Sequence, residues 1–472
     1  MNTTSKYDVA IIGGGIGGLM TAYRLKETNP KLEIVILEKG NALTNRKCPA
    51  QKGKPCAKCK VCSITSGYAG AGAFSDGKFC LGTSYGGTLG EELGETKAMY
   101  YMKQVDGILK EYSEGDYPEV YGSDEGLKLK CLQNNLRLLD MDVRHLGTDR
   151  NYKIMDNFIS KLEELGVHLE SGIDVENVVK IDRDGYAWGI TYTVLKHNTI
   201  DSLRAKNIVF AVGRNGSEFL QRFCKNNGIK ITSNAVDIGV RVEMPDSIWA
   251  DFSSKIYEPK ILCKTTTFED KTRMFCFNQG GVVSAENNDG IITANGHSYA
   301  NPEKKTKNCN FAVLTSIKFT EPFDEPTTYA KNIAHLANLI GAGNVIVQRL
   351  GDLVRGRRTN AHRLNQNSVK PTLTATPGDL SLVLPHRILV DIIETLYALD
   401  KVAPGTANDD TLLYGCECKY YSVKPEIISD FSIAENAWVV GDCSGICRGL
   451  AQSAAMGLYV GDMIIEGFED VL

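Results

Sequence analysis

The spacing of apolar and polar residues divides the chain into elements before any motif is considered. Tyr7-Asp8-Val9-Ala10-Ile11-Ile12 and Leu32-Glu33-Ile34-Val35-Ile36-Leu37 are short apolar runs of the kind made by parallel strands buried on both faces. Between them Ile16, Leu19, Met20, Tyr23 and Leu25 recur at helical spacing, to about Lys26. Strand, helix and strand form one βαβ unit. Further on, the pattern predicts a helix from Asn151 to about Leu165, stopped by Gly166, then strands near 167–170, 173–182, 186–195 and 203–212. Residues 45–90 read as loop and 91–145 as broken helix. The stretch 231–410 mixes strands with helices near 328–340 and 386–400, and Ala437-Trp438-Val439-Val440 opens a last strand and helix.

Length and charge narrow the class. A chain of 472 residues exceeds a single core, so two or three domains are expected. The formal net charge of -4 gives the molecule as a whole no electrostatic reason to seek nucleic acid or an anionic membrane. The first residues lead straight into an apolar strand, and no run approaches the roughly 18 apolar residues of a membrane span. A soluble cytoplasmic protein is expected.

The first βαβ unit carries candidate chemistry. Gly13, Gly15 and Gly18, with Ile16 and Gly17 between them, fit G-x-G-x-x-G directly after a strand and at the start of a helix. The first glycine allows the tight turn, the second lets a pyrophosphate approach the backbone, and the third lets helix pack on strand. Free N–H groups at the helix start would hold the phosphates. Glu38 ends the next strand, where an acidic side chain would bind the adenosine ribose, with Lys39 beside it. Gly341-Ala342-Gly343 is a decoy, since Ile346 replaces the third glycine and a helix precedes it. No second nucleotide site is expected, and NAD(P)H dependence has no support.

Two further pieces resemble the glutathione-reductase-type flavoprotein fold. Val439-Val440-Gly441-Asp442, followed by Gly449, Leu450 and Ala451 at a helix start, is similar to its second FAD signature. Phe210-Ala211-Val212-Gly213 is similar to its strand-end Ala-x-Gly. The resemblance implies FAD, with Asp442 near the ribityl and pyrophosphate groups and the helix start facing the flavin pyrimidine. Gly67-Tyr68-Ala69-Gly70-Ala71-Gly72-Ala73-Phe74-Ser75-Asp76-Gly77-Lys78, Arg144-His145-Leu146-Gly147-Thr148-Asp149 and Val236 to Glu243 resemble segments of the uncharacterised FAD-dependent dehydrogenase family of bacteria and archaea. Gly280-Gly281, Asn295-Gly296 and the stretch from Gly351 to the C-terminus extend the likeness. It implies a Rossmann-like α/β FAD-binding domain of the glutathione-reductase type and a discontinuous mixed α+β substrate domain. Residues 1–230 would form the first part, with a Cys-rich metal-binding insertion at 46–65 and a mostly helical insertion at 91–150. Residues 231–410 would form the substrate or cap domain, and 411–472 the C-terminal part. Ala73, Phe74, Ser75, Asp76 and Val175 join the expected cofactor contacts. The chain departs from these relatives at Cys443-Ser444-Gly445-Ile446-Cys447-Arg448-Gly449, where they carry a Gly-rich, uncharged loop.

Cysteine usage adds a second candidate. Cys48, Cys56, Cys59 and Cys62 have the compact spacing of a metal cradle. Three thiolates at C-x-x-C-x-x-C plus one more suit a [4Fe–4S] cluster, while zinc more often shows two separated C-x-x-C pairs. Iron–sulfur, zinc and a metal-free lysine-rich loop stay open. An iron–sulfur cluster would imply an electron-transfer protein partner.

Substrate chemistry is thinner. Cys443 and Cys447 precede the last helix, where a helix start lowers a thiol pKa, although small buried cysteines are often plain filler. Arg448 is a candidate for an anionic substrate or the flavin carbonyl, and His145, within the family-like segment, is a further catalytic candidate, although a single His is more often structural. Arg355-Gly356-Arg357-Arg358, with His362 and Arg363, reads either as a clamp for a carboxylate or phosphate or as a solvated loop. The expectation is hydride transfer between flavin N5 and a small organic substrate, with electron transfer to a protein or RNA modification as rivals.

Overall fold

The computed structural model describes residues 4–48, 59–115, 117–139, 142–256, 258–288, 290–298, 302–320, 322–323 and 325–469. They fall into two units, each drawn from separate stretches of chain. The first comprises 1–120, 141–232 and 422–472. The second comprises 121–140 and 233–421.

The first unit is organised by a sheet in which the strands Ala437–Val439, Thr199–Phe210, Ser5–Ile12, Ile34–Glu38 and His168–Ser171 lie side by side and parallel. Every residue of Ile34–Glu38 is buried, as a strand covered on both faces requires. The hairpin Ile173–Arg183 and Tyr186–Val194 extends the sheet antiparallel to Thr199–Phe210. The helices Ile16–Thr28 and Leu450–Glu469 pack together on one face. Their close approach is marked by the Thr21 hydroxyl, which donates to the Gly457 carbonyl at 3.0 Å.

The second unit is a mixed sheet in the order Thr376–Pro377, Ile346–Arg349, Leu412–Lys419, Val236–Pro245, Asn308–Ile317, Lys271–Asn278, Ile261–Lys264 and Leu136–Leu138. The helices Pro326–Ile340 and His386–Asp400 bury their apolar stripes against it. Two sequence boundaries are corrected here. Residues 121–140, read as part of the first domain's 91–150 insertion, belong to the second unit because Leu136–Leu138 pairs with Ile261–Cys263. Residues 411–421, read with the C-terminal part, belong there too, since Leu412–Lys419 pairs with both Val236–Pro245 and Ile346–Arg349.

Candidate functional site

The strand register of the first unit converges on one edge. Ile12 lies level with Leu37 on one side and Phe210 on the other, and Phe210 is level with Val439. The residues that follow, Gly13, Glu38, Ala211 and Val440-Gly441, therefore emerge together at the carboxyl ends of four neighbouring parallel strands, where open α/β sheets bind ligands. Backbone bonds continue past the strands: Gly13 N–H to Leu37 O, Ala211 N–H to Ile12 O, and Val440 N–H to Phe210 O, at 2.8–2.9 Å.

The glycine turn fits a pyrophosphate. Gly13 has φ +106°, and a Cβ there would overlap the Ala211 carbonyl. Gly15 differs: a Cβ would meet no protein atom within 4 Å, so nothing in the fold demands glycine there. The open space lies at the start of a 13-residue helix, where the amides face outward.

Glu38 is buried, and its carboxylate gathers three backbone amides. Oε2 accepts from Gly14 at 2.7 Å, while Oε1 accepts from Gly40 and from Gly67, both at 2.8 Å. Beside it Lys39 pairs with Asp174 at 2.9 Å, next to Val175. Arg46, which the sequence reading passed over, matches Glu38 with the opposite charge. Its guanidinium donates to the carbonyls of Ser63, Ile64, Tyr68 and Gly70 at 2.7–2.9 Å and lies 4.7 Å from the Phe74 ring centroid. Burial pulls its pKa down to about 10, against the opposing pull of Glu38. One anion and one cation thus shape the loop 63–70 over the glycine turn.

Two further buried amides were missed. Asn151 donates to the Gly72 carbonyl at 2.8 Å and so fixes the turn Gly70–Phe74, in which Ala73 is buried. Gln452 donates to Tyr85 O at 2.8 Å and ties the first turn of the C-terminal helix to the loop 82–89. Asn151 carries a signal: it is polar yet lies in helical register with Met155, Phe158 and Leu162 on a buried face.

Ser75 bridges the same turn, donating to Gly72 O at 2.8 Å. Lys78 and His145 are cross-strand partners, and Asp76 lies 3.0 Å from Lys78 Nζ and 4.0 Å from His145 Nε2. The segments from Gly67 and from Arg144 therefore meet. Asp442 pairs with Arg214 at 3.1 Å and accepts from Ser422 at 3.1 Å. The amides of Arg448 and Gly449 both donate to Gly86 O, at 2.7 and 2.9 Å.

The two C-terminal thiols take the buried alternative. Cys443 and Cys447 have no exposed surface. Burial pushes Cys443 up to about 12 and Cys447 well above the ordinary thiol range, outweighing any effect of the helix start. Of the four clustered cysteines, Cys56 lies outside the described residues. Among the described residues no group of three or more His, Cys, Asp or Glu is arranged to hold a metal ion. Cys62 stands apart. Partial burial raises its pKa, yet hydrogen bonds from Ile64 and Thr65, with the charge of Arg46, hold it below the usual thiol range.

Residues 235–420 match the family described as "FAD-dependent protein, C-terminal domain-like", and residues 11–47 match an "NAD(P)-binding Rossmann-like domain". These matches support an FAD-dependent oxidoreductase. A mitochondrial L-2-hydroxyglutarate dehydrogenase of Dictyostelium discoideum is 65% identical over 37 residues, which is 8% of this chain and 8% of that protein. L-proline dehydrogenase from P. horikoshii overlays 98% of this chain and 95% of its own at 12% identity, with a TM-score of 0.41. The Bacillus halodurans glycerol-3-phosphate dehydrogenase complexed with FAD overlays 98% of this chain and 65% of its own at 13% identity, with a TM-score of 0.40. No described helix is long and apolar enough to cross a membrane.

Proposed function

We propose that the chain binds FAD at the carboxyl edge of its parallel sheet, in the manner of the glutathione-reductase type, and moves a hydride between flavin N5 and a small organic substrate. The observation that carries this reading is the alignment of Gly13, Glu38, Ala211 and Gly441 at the ends of four adjacent strands. Bound FAD supplies the two-electron chemistry. The chain's residues would bind and orient it: the amides following Gly15 would hold the pyrophosphate, and Glu38 Oε2, which carries one amide, has acceptor capacity for a ribose hydroxyl. The helix beginning at Leu450 presents its positive end, which favours negative charge on a neighbouring ring. Asp76, Lys78 and His145 form the proton-handling group, and Arg448 holds an anionic substrate. Membership of the dehydrogenase family of bacteria and archaea, with a cytoplasmic location, belongs to the same proposal.

Purification followed by absorbance spectroscopy and anaerobic titration with candidate metabolites tests it. The expected result is one flavin per chain, bleached by one class of metabolite. A chain that takes up no FAD on reconstitution overturns the reading. Cys62, whose surroundings favour the thiolate, supports a second element: a metal held with Cys48, Cys56 and Cys59, serving electron transfer to a protein partner. Metal analysis of anaerobically purified protein decides between iron, zinc and none.

A further inference from the structure

The arginine-rich segment of the second unit is built around one buried carboxylate. Asp352 has no exposed surface. Its Oδ1 accepts from Arg357 Nε at 2.7 Å and lies 4.0 Å from Arg363 Nη1. Its Oδ2 accepts from the Thr359 hydroxyl at 2.8 Å and lies 3.6 Å from Arg349 Nη1. The backbone is braced as firmly. Arg357 N–H donates to Asp352 O at 3.0 Å, Arg349 N–H to Thr359 Oγ1 at 2.9 Å, and the Arg363 guanidinium to Arg358 O at 2.7 Å.

Charge does not balance in this cluster. Arg349, Arg355, Arg357, Arg358 and Arg363 face Asp352, Asp409 and Asp410, while the nearby Asp379 takes Gln348 and Ser381. Asp409 takes Arg355 at 2.7 Å and Asp410 takes Arg349. Asp352 serves Arg357 first, so the surplus rests on Arg358 and Arg363. Arg358, exposed, reaches the Pro377 carbonyl at 3.4 Å. Arg357 remains 45% exposed and Arg363 34%. A merely solvated loop needs no buried anchor. Here each guanidinium is held through one nitrogen while the rest of it stays open to water.

We propose that Arg357, Arg358 and Arg363 form a binding site for the oxyanion of a small molecule, a phosphate or carboxylate, with Asp352 as the positioning residue. Planar guanidinium forks suit such groups, and anchored ones lose less freedom on binding. A small molecule fits better than a nucleic acid, because a polyanionic strand would also meet Asp379, Asp409 and Asp410 on a chain whose net charge is -4.

Calorimetric titration of the FAD-loaded full chain with inorganic phosphate, pyrophosphate and citrate tests this. The expected result is saturable binding of at least one, weakened about tenfold or more in Arg358→Gln, as loss of a charge-assisted bond implies. Because Arg358 makes no contact with Asp352, its variant should melt like wild type without ligand, whereas Arg358→Lys should retain part of the affinity. The phosphate and citrate arms separate the two sources of the oxyanion. The proposal is overturned if none of the three saturates, if Arg358→Gln binds as wild type, or if an RNA oligonucleotide outcompetes all three with a steep salt dependence.

Discussion

Arg241 Nε lies 2.8 Å from Glu417 Oε2, and neither side chain has any exposed surface. The guanidinium also donates to Cys276 O at 2.9 Å and Asn295 Oδ1 at 3.1 Å, so a strand, its neighbour and the hairpin Val282–His297 meet on one cation. Removing a single partner leaves the other charge buried. Arg241→Met should therefore destabilise the second unit by about 3–5 kcal/mol, and the double variant Arg241→Met, Glu417→Leu should recover part of that loss. Denaturant unfolding of the single and double variants measures both. A double variant as weak as the worse single would show that the ion pair is not what matters.

Gly13 and Gly15 should separate folding from cofactor binding. Gly13→Ala forces a Cβ into the Ala211 carbonyl at positive φ and should lower the melting midpoint clearly. Gly15→Ala meets only open space, at φ -72°. It should cost within about 1 kcal/mol in the FAD-free protein, the scale of a lost cap. Flavin retention after gel filtration should nevertheless fall sharply. Full flavin content in Gly15→Ala would move the pyrophosphate elsewhere.

Glu38→Gln tests the same turn from the other side. An amide offers one acceptor oxygen and an N–H₂ group to three backbone donors, so one donor at least is left facing another. A loss of about 1–3 kcal/mol and a lower flavin content are expected. Glu38→Asp, too short to reach Gly67, should do little better.

Asp391 sets a pH dependence. It is buried on the helix His386–Asp400, takes a hydrogen bond from Thr265 at 2.8 Å, and lies near Asp270, which Arg387 holds at 2.8 Å. Burial, aided by the charge of Asp270, pushes its pKa from 3.8 up to about 6. The folded state therefore binds this proton more tightly than the unfolded chain. The contribution of Asp391 to stability is greatest below pH 4 and is lost as pH rises through 6. Asp391→Asn should stabilise the protein at pH 7–8 by about 1–2 kcal/mol and change little at pH 4. Melting curves across that range check the sign.

Thiol reactivity follows from burial. An alkylating reagent should label the exposed Cys59 and Cys62 in native protein and spare Cys443 and Cys447. Peptide mapping after brief labelling reads this directly. Cys447→Ala should turn over substrate much as wild type.

Repetition explains what could be read from sequence. The apolar runs around Ile11 and Ile36 and the fixed interval from Gly18 to Glu38 recur in many residues at once, so they mark strands and turn without three-dimensional knowledge. Arg46 and Gln452 act alone, and their hydrogen-bond partners are backbone groups, which leave no trace in side-chain identity. The three-residue strand Leu136–Leu138 is too short for a periodic signal, and only its pairing with Ile261–Cys263 reveals which unit owns it. The register of Cys443 and Cys447 near a helix start suggested reactivity. Their enclosure, which decides their chemistry, is a property of packing.

The first unit takes its parallel strands from residues 5–12, 34–38, 168–171, 199–210 and 437–439. During synthesis the strand Ala437–Val439 and the helix Leu450–Glu469 leave the ribosome after the whole of residues 233–421. Until then Thr21 lacks the Gly457 carbonyl it bonds in the folded unit, and the Phe210 carbonyl lacks the Val440 amide it accepts from. The second unit can complete its own sheet beforehand. Nascent first-unit strands must wait with open edges, the condition in which strand edges are most prone to mispairing.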